Sequence, residues 1–465
     1  MRRTHLVFIL LIVTQFFSCG NDDEYVLLTA EEGEQYSGGD ATVFNETEEA
    51  FGFFSHNLTS DEKSDFGIGN SFFRQSWVTA PASTTARDGL GPFFNANSCS
   101  SCHFKDGRGR TPLFDGETAH GLLLRLSIPG TNSNGSSFAD PSYGGQLQDN
   151  AILGQTIKGK FNITFESMTE TLADGTEVLL KKPIYQFNTL GYGAMAANLQ
   201  VSPRVANQMI GLGLLEAISE DIILAFADVN DANGDGISGK PNYVYDVVSN
   251  TQKLGRFGWK ANQPNIKQQV AGAFLGDMGI TTSLFPNENC PPGVDCNLIS
   301  NGGSPEISDS NLNKVVLYSS TLSVPARRNY NKQNVLKGKK TFEIIGCTAC
   351  HIPKIQTGNT HSITALRNQT IRPYTDLLLH DMGINLADNA PDYLATGNEW
   401  RTPPLWGIGL IQTVNNHTNL LHDGRAKNVT EAILWHGGEA ENAKVKFKQL
   451  ATDKRNELLD FINSL

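Results

Sequence analysis

The chain has 465 residues, enough for two or three domains with sizeable cores. With 39% hydrophobic and 18% charged residues it reads as an ordinary soluble globular protein, neither disordered nor embedded in a membrane. Its 48 acidic against 37 basic residues, a formal charge of −11, argue against a nucleic-acid surface and suit solubility or a basic partner.

Arg2 and Arg3 precede the apolar run LVFILLIVTQFF, which is too short to span a bilayer comfortably and ends at Ser18-Cys19-Gly20. That is the layout of an export signal. A cysteine at this point resembles a bacterial lipobox, so residues 1–19 are expected to be a lipoprotein signal peptide and Cys19 the acylated first residue. Phe16 and Phe17 are bulkier than usual lipobox residues, and an ordinary signal peptide with an incidental cysteine stays open. Either way the mature protein is expected to be exported, periplasmic or in the cell envelope; acylation would hold it on a membrane surface by the lipid anchor alone. Residues 20–45, acidic and glycine-rich, are expected to be a flexible tether.

An N-terminal unit is expected over 46–332, with helical sequence leading to LGPFFNANSCSSCH and a loop presenting Cys99, Cys102 and His103. From about residue 120 to 195 the pattern reads as a β-rich insertion. Apolar residues alternate on both sides of Ala173-Asp174-Gly175, which predicts a β-hairpin. Helical periodicity resumes in PRVANQMIGLGLLEAISEDIILAFAD. Over 228–242, Asp231, Asn233 and Asp235 stand at alternating positions ahead of Gly236 and half-match a calcium loop. Asn242 occupies the place of the bidentate Glu of an EF-hand, so a calcium site of another kind and a plain Asx-rich turn both stay open. Cys290 and Cys296, in NENCPPGVDCN, suit a disulfide in an oxidising compartment.

A C-terminal unit over 333–465 opens with NVLKGKKTFEIIGCTACH, an amphipathic helix running into Cys347, Cys350 and His351. It closes with KFKQLATDKRNELLDFINSL, whose Leu450, Leu458, Leu459 and Ile462 suit a terminal packing helix. GLGLL at 211–215 echoes GIGLI at 407–411, each following a C-x-x-C-H motif. Chance and a turn shared by two related units both explain the echo.

A C-x-x-C-H pattern is expected by chance in about two of every thousand chains of this composition, so two copies call for a chemical reason. A zinc site normally draws its cysteine and histidine pairs from nearby sequence, and nothing comparable lies close. A thioredoxin-like dithiol needs no following histidine. Covalent haem attachment uses every position: two thiols add to the two vinyl groups and the adjacent imidazole is delivered to the iron. Two haem c groups are therefore expected, with His103 and His351 as proximal ligands. The fold class expected is mainly α: two cytochrome c-like haem domains with an inserted β-hairpin segment.

RTPPLWGIGLIQ, LLHDGRAKNVTEAILWHGGEA, DANGDGISGKPN and the two C-x-x-C-H motifs together resemble the bacterial di-haem oxidoreductase family, peroxidase-like proteins sometimes labelled thiol oxidoreductases. The likeness runs from about Ala50 to the C-terminus. More distantly, HDGRA…EAILWH is similar to the bacterial cytochrome c peroxidases and to the di-haem enzyme that matures methylamine dehydrogenase. The resemblance implies peroxide-linked chemistry, one haem open to peroxide and the other passing electrons. It implies a small redox protein, a cytochrome c or cupredoxin, as electron partner. It also puts His436 where the cytochrome c peroxidases carry a methionine ligand to the electron-transfer haem, with His422, His380 and Met382 as competitors. A His/His pair would make that haem six-coordinate, low-spin and lower in potential.

No His or Met partner stands at a matching position for the first haem, which agrees with an open or water-bound iron. By the GLGLL echo, Glu216 falls on its distal side, where peroxide cleavage needs a proton carrier. A core-edge glutamate paired with a cation is the plainer reading of Glu216. Trp77 or Trp259 could stand between the haems, and relatives hold calcium near their domain interface. The thiol-oxidoreductase label fits badly, because every cysteine has an assignment. A non-catalytic electron carrier with two six-coordinate haems is the rival function; a distal candidate for only one haem favours an enzyme.

Overall fold

In the computed structural model the described residues are 27–112, 117 and 121–465, so the export signal and Cys19 lie outside them. α1 (Ser60–Arg74) starts at a capping box, in which Thr59 accepts from the Glu62 amide and Glu62 accepts from the Thr59 amide at 2.8 Å. Ser98 then caps the single-turn α2 (Cys99–Cys102). The strands Leu122–Thr131 and Gln200–Val205 pair antiparallel, and between them the strands Gly159–Thr171 and Glu177–Leu190 form a long hairpin. Its turn falls at the expected Asp174-Gly175, with Gly175 at φ 81°. Two single turns follow, α3 (Leu212–Glu216) and α4 (Glu220–Leu224). Next come a short hairpin of Tyr243–Asp246 with Thr251–Leu254, then α5 (Ile266–Met278) and α6 (Asp309–Thr321). The rest is α7 (Gln333–Ile344), α8 (Ile411–Asn415), α9 (Val429–Trp435), α10 (Glu441–Gln449) and α11 (Thr452–Ser464). No helix among the described residues is long and apolar enough to cross a membrane.

The expected mainly α class does not hold. The described residues are 28% helix and 19% strand, with several small antiparallel sheets. The stretch from Pro203 that reads as one long helix is the end of a strand followed by two five-residue helices. Gly211 at φ 70° breaks it first, and Ser219 in extended backbone breaks it again. The 243–254 hairpin was also missed: Tyr-Val-Tyr-Asp is too short for its alternation to stand out.

Two helix crossings rest on glycine. A Cβ on Gly69 of α1 would lie 2.1 Å from the Lys314 carbonyl oxygen of α6. One on Gly338 of α7 would lie 1.9 Å from that of Glu457 in α11. Each motif-bearing stretch is thus preceded by a helix that packs backbone to backbone on a later one. The α7–α11 seam buries Phe342, Leu458, Phe461 and Ile462; of the expected stripe Leu458 and Ile462 are thus buried, Leu450 is partly buried beside them, and Leu459 is half-exposed outside that cluster.

The long hairpin reaches across to the C-terminal helices. At its tip Asp174 pairs with Arg455 and accepts from Thr452 Oγ1 at 2.7 Å, while Lys448 meets Glu170 at 2.5 Å. Leu172 and Leu180 join the same apolar cluster as α7 and α11. The segment expected to be a loose tether is bonded to the body from Leu28 onward. Gln333 exchanges hydrogen bonds with both the amide and the carbonyl of Leu28, at 3.1 and 2.8 Å. Glu34, 1% exposed, pairs with Arg327 and Lys339. Cys290 and Cys296 are joined as a disulfide.

Candidate functional site

Both C-x-x-C-H motifs line one interior cavity of about 590 Å³. The first arrives on α2, a turn too short to stand alone and fixed by the Ser98 cap. The second follows α7, where Gly346 at φ 97° turns the chain into Cys347. The four thiols are bonded neither to each other nor across the motifs. Burial pushes the Cys102 and Cys347 thiols up to about 12, and raises Cys99 and Cys350 as well.

The two motif histidines share a geometry. His103 Nδ1 donates to the Asn207 carbonyl at 2.6 Å, and His351 Nδ1 donates to that of Tyr374 at 2.9 Å. Each bond fixes the tautomer and leaves the Nε2 lone pair for a metal. His436 repeats the arrangement from a helix end: at the C-cap of α9, its Nδ1 donates to the Ala432 carbonyl at 2.7 Å. Burial keeps all three imidazoles neutral, lowering His351 to about 4, partly because His436 stands near it. His436 and His351 line the same cavity.

The competitors are placed differently. His380 has both nitrogens engaged, Nδ1 by Glu439 at 2.6 Å and Nε2 by Asp376 at 2.8 Å. His422 lies flat on Trp400 at 3.7 Å, and burial drops it to about 3. Met382 is on the cavity wall.

Glu216 is not on the wall. Its carboxylate accepts from the Ile266 amide at 2.8 Å, at the start of α5, and from His361 Nε2 at 3.0 Å. What lines the cavity is the helix it holds, through Ile266, Gln269, Val270, Ala273 and Asp277. Of the acids that are there, Asp235 is expected only as a calcium oxygen, and sequence reasoning missed Asp149 and Asp277. Asp277 accepts from Gln146 Nε2 at 2.8 Å, Gln146 donates to Asn95 at 2.7 Å, and Asn95 donates to Asp149 at 3.1 Å. Both carboxylates stand close enough to Cys102 to raise its thiol, and burial raises Asp149 itself. No local motif marks them, since 95, 146 and 277 meet only in the fold.

The two echoed turns do face the cavity: Leu212 and Leu215 from one, Ile408 and Ile411 from the other. Their glycines, Gly211 and Gly407, are both left-handed and pack on each other's neighbours, Trp406 and Ile210. Trp259 lines the cavity, with its Nε1 donating to Val205 at 2.8 Å and Arg108 over its ring at 4.9 Å. Trp77 is buried between Phe72 and Phe274, off the wall.

The oxygens suggested for calcium are engaged within their own loop. Asp231 accepts from the Gly236 amide at 3.1 Å, Asn233 from Asp235 at 2.8 Å, and Asp235 from Ile237 at 2.9 Å. Among the described residues, the trio grouped as metal ligands would be is Cys350, Asp376 and His380, and it contains no second cysteine.

The donor set fits haem better than zinc. A zinc site would gather the thiols, but these stand in two separate pairs, each with its own neutral imidazole on a large apolar-walled space. Arg125 also lines that space and its guanidinium makes no hydrogen bond among the described residues, which suits a carboxylate-bearing ligand.

The family model described as "Di-haem oxidoreductase, putative peroxidase" matches residues 32–465. The chain belongs to the di-haem oxidoreductase family. No curated protein and no solved structure matches it significantly. Nearly the whole chain, hairpin and calcium-like loop included, is therefore family sequence.

Proposed function

We propose that this di-haem oxidoreductase is an exported, peroxidase-type enzyme holding two covalent haem c groups, one at Cys99–His103 and one at Cys347–His351. The observation that carries the reading is the repeated imidazole geometry: a half-buried histidine after each cysteine pair, its Nδ1 tied to a backbone carbonyl and its Nε2 left for iron. When bound, the haems supply electron storage and a site for a peroxide oxygen. His436 would help hold the haem at the second site as a further imidazole ligand and keep peroxide out. At the first site the wall offers carboxylates in place of a second imidazole. Asp149, its proton affinity raised by burial, would hold the proton that passes between the peroxide oxygens, and the Asn95–Gln146 bridge would orient it against Asp277. Arg125 would meet a propionate. Trp259, on the cavity wall, would carry charge between the sites.

Pyridine haemochrome analysis of the exported protein should find two haems per chain, resistant to acid acetone. His103→Gly and His351→Gly should each keep both haems attached while changing the spectrum of one. A stoichiometry of one, or haem extracted by acid, ends this reading. The electron partner is proposed to be a small cytochrome c or cupredoxin.

We propose further that Cys19 is acylated and holds the enzyme on a membrane surface in the periplasm or cell envelope. Cys19→Ala should then release a soluble exported protein with unchanged haem spectra, and palmitate label should be lost. Unchanged fractionation without label in the parent protein rules the anchor out.

A further inference from the structure

His380 is the cavity-lining imidazole whose two nitrogens both meet carboxylates. A neutral imidazole has one N–H, so two carboxylate contacts require an extra proton in the trio. Asp376, His380 and Glu439 therefore share one net negative charge, whichever atom carries the proton. The cluster is rigidly held. Asp376, 1% exposed, also accepts from the Leu378 amide at 2.9 Å. Glu439 accepts from Ser238 Oγ at 2.6 Å and from the Asp381 amide at 3.2 Å. Gly239 packs beside the ring, where a Cβ would come within 3.3 Å of His380 Cε1. His380 Nδ1 lies 3.5 Å from Cys350 Sγ, the sulfur proposed to join the second haem.

We propose that Asp376, His380 and Glu439 form a charge clamp that sets the reduction potential of the group carried at Cys347–His351. This rests on the haem reading above. Charge beside a poorly solvated redox centre acts with little screening, and negative charge favours the oxidised form. The imidazolium offsets one carboxylate of the two, so removing different members must move the potential in opposite directions. The loop that resembles a calcium site gains a role here, because its Ser238 closes over Glu439.

The test uses the holoprotein, by potentiometric titration followed at the second haem's own optical or EPR signal. His380→Gln leaves two uncompensated carboxylates and should shift that potential down. Glu439→Gln and Asp376→Asn each remove a negative charge and should shift it up. The first haem should move less in all three. Shifts of one sign throughout, as loosened packing alone would give, or no shift, overturn the clamp. Where His380→Gln does not accumulate, Ser238→Ala is the substitute: it removes the 2.6 Å donor to Glu439 and should lower the potential, and an unchanged value overturns the proposal. Haem stoichiometry of the parent protein is read separately, so a failed haem assignment is not confused with a failed clamp.

Discussion

Replacing Asp149 by Asn should slow the first reaction with peroxide by roughly 10²–10⁴-fold, the usual loss when a positioned proton carrier is removed. The substitution keeps the oxygen that accepts from Asn95 Nδ2 at 3.1 Å, so the wall should stay in place. It removes the carboxyl, whose proton affinity burial has raised. Sign and pH window follow from that direction. A raised carboxyl stays protonated above the ordinary carboxylate range, and loses its proton as pH climbs through its shifted value. Because the carboxylate must be free to accept the peroxide's proton, the parent rate should rise as pH climbs through that value and fall on the acid side, and the Asp149→Asn variant should be slow throughout with that pH step gone. Glu216→Gln is the control. Its carboxylate caps α5 and meets His361 rather than the cavity, so it should lower the melting temperature more than the peroxide rate. Stopped-flow mixing with hydrogen peroxide decides the matter, and a rate for Asp149→Asn within a factor of about three of the parent, well short of the loss expected for a proton carrier, would falsify the assignment.

The second large effect belongs to His436. Its neutral imidazole, oriented by the 2.7 Å bond to Ala432, shares a wall with His351. His436→Ala should convert one low-spin ferric EPR signal to high-spin, and His436→Met should raise that haem's potential by weakening donation to the ferric state. The other haem should be untouched in both. Steady-state peroxide turnover should drop while the first encounter with peroxide survives, because electrons reach the reacting site more slowly. An unchanged low-spin signal would hand the ligand role to His422, since both nitrogens of His380 are engaged by carboxylates.

The parts of this molecule that could be read from sequence are those whose signal is local. The C-x-x-C-H pairs, the hairpin around Asp174-Gly175 and the α7 and α11 stripes each declare themselves within a short stretch of chain. Glu216 shows where that ends. Its turn faces the cavity through Leu212 and Leu215, but on so short a helix one residue separates a side chain on the wall from one that caps a neighbour. The fold class went astray for a related reason. Two- to four-residue strand pairs carry no periodicity to detect, and an apolar run broken by Gly211 reads as helix until its φ is known. The Asp149–Asn95–Gln146–Asp277 bridge needs three distant segments to meet, so no pattern along the chain could have announced it.

The shared cavity bears on how such a protein is made. Its walls are drawn from Phe73 at one end of the sequence to Ile462 at the other, so the space exists only once the chain is complete and closed. In that closed form burial raises the Cys102 and Cys347 thiols, which disfavours the reactive thiolate. Under the proposed haem reading, attachment is expected on the open chain, before the cavity closes. A molecule that misses that moment closes around a hollow centre, without the packing that a filled interior provides.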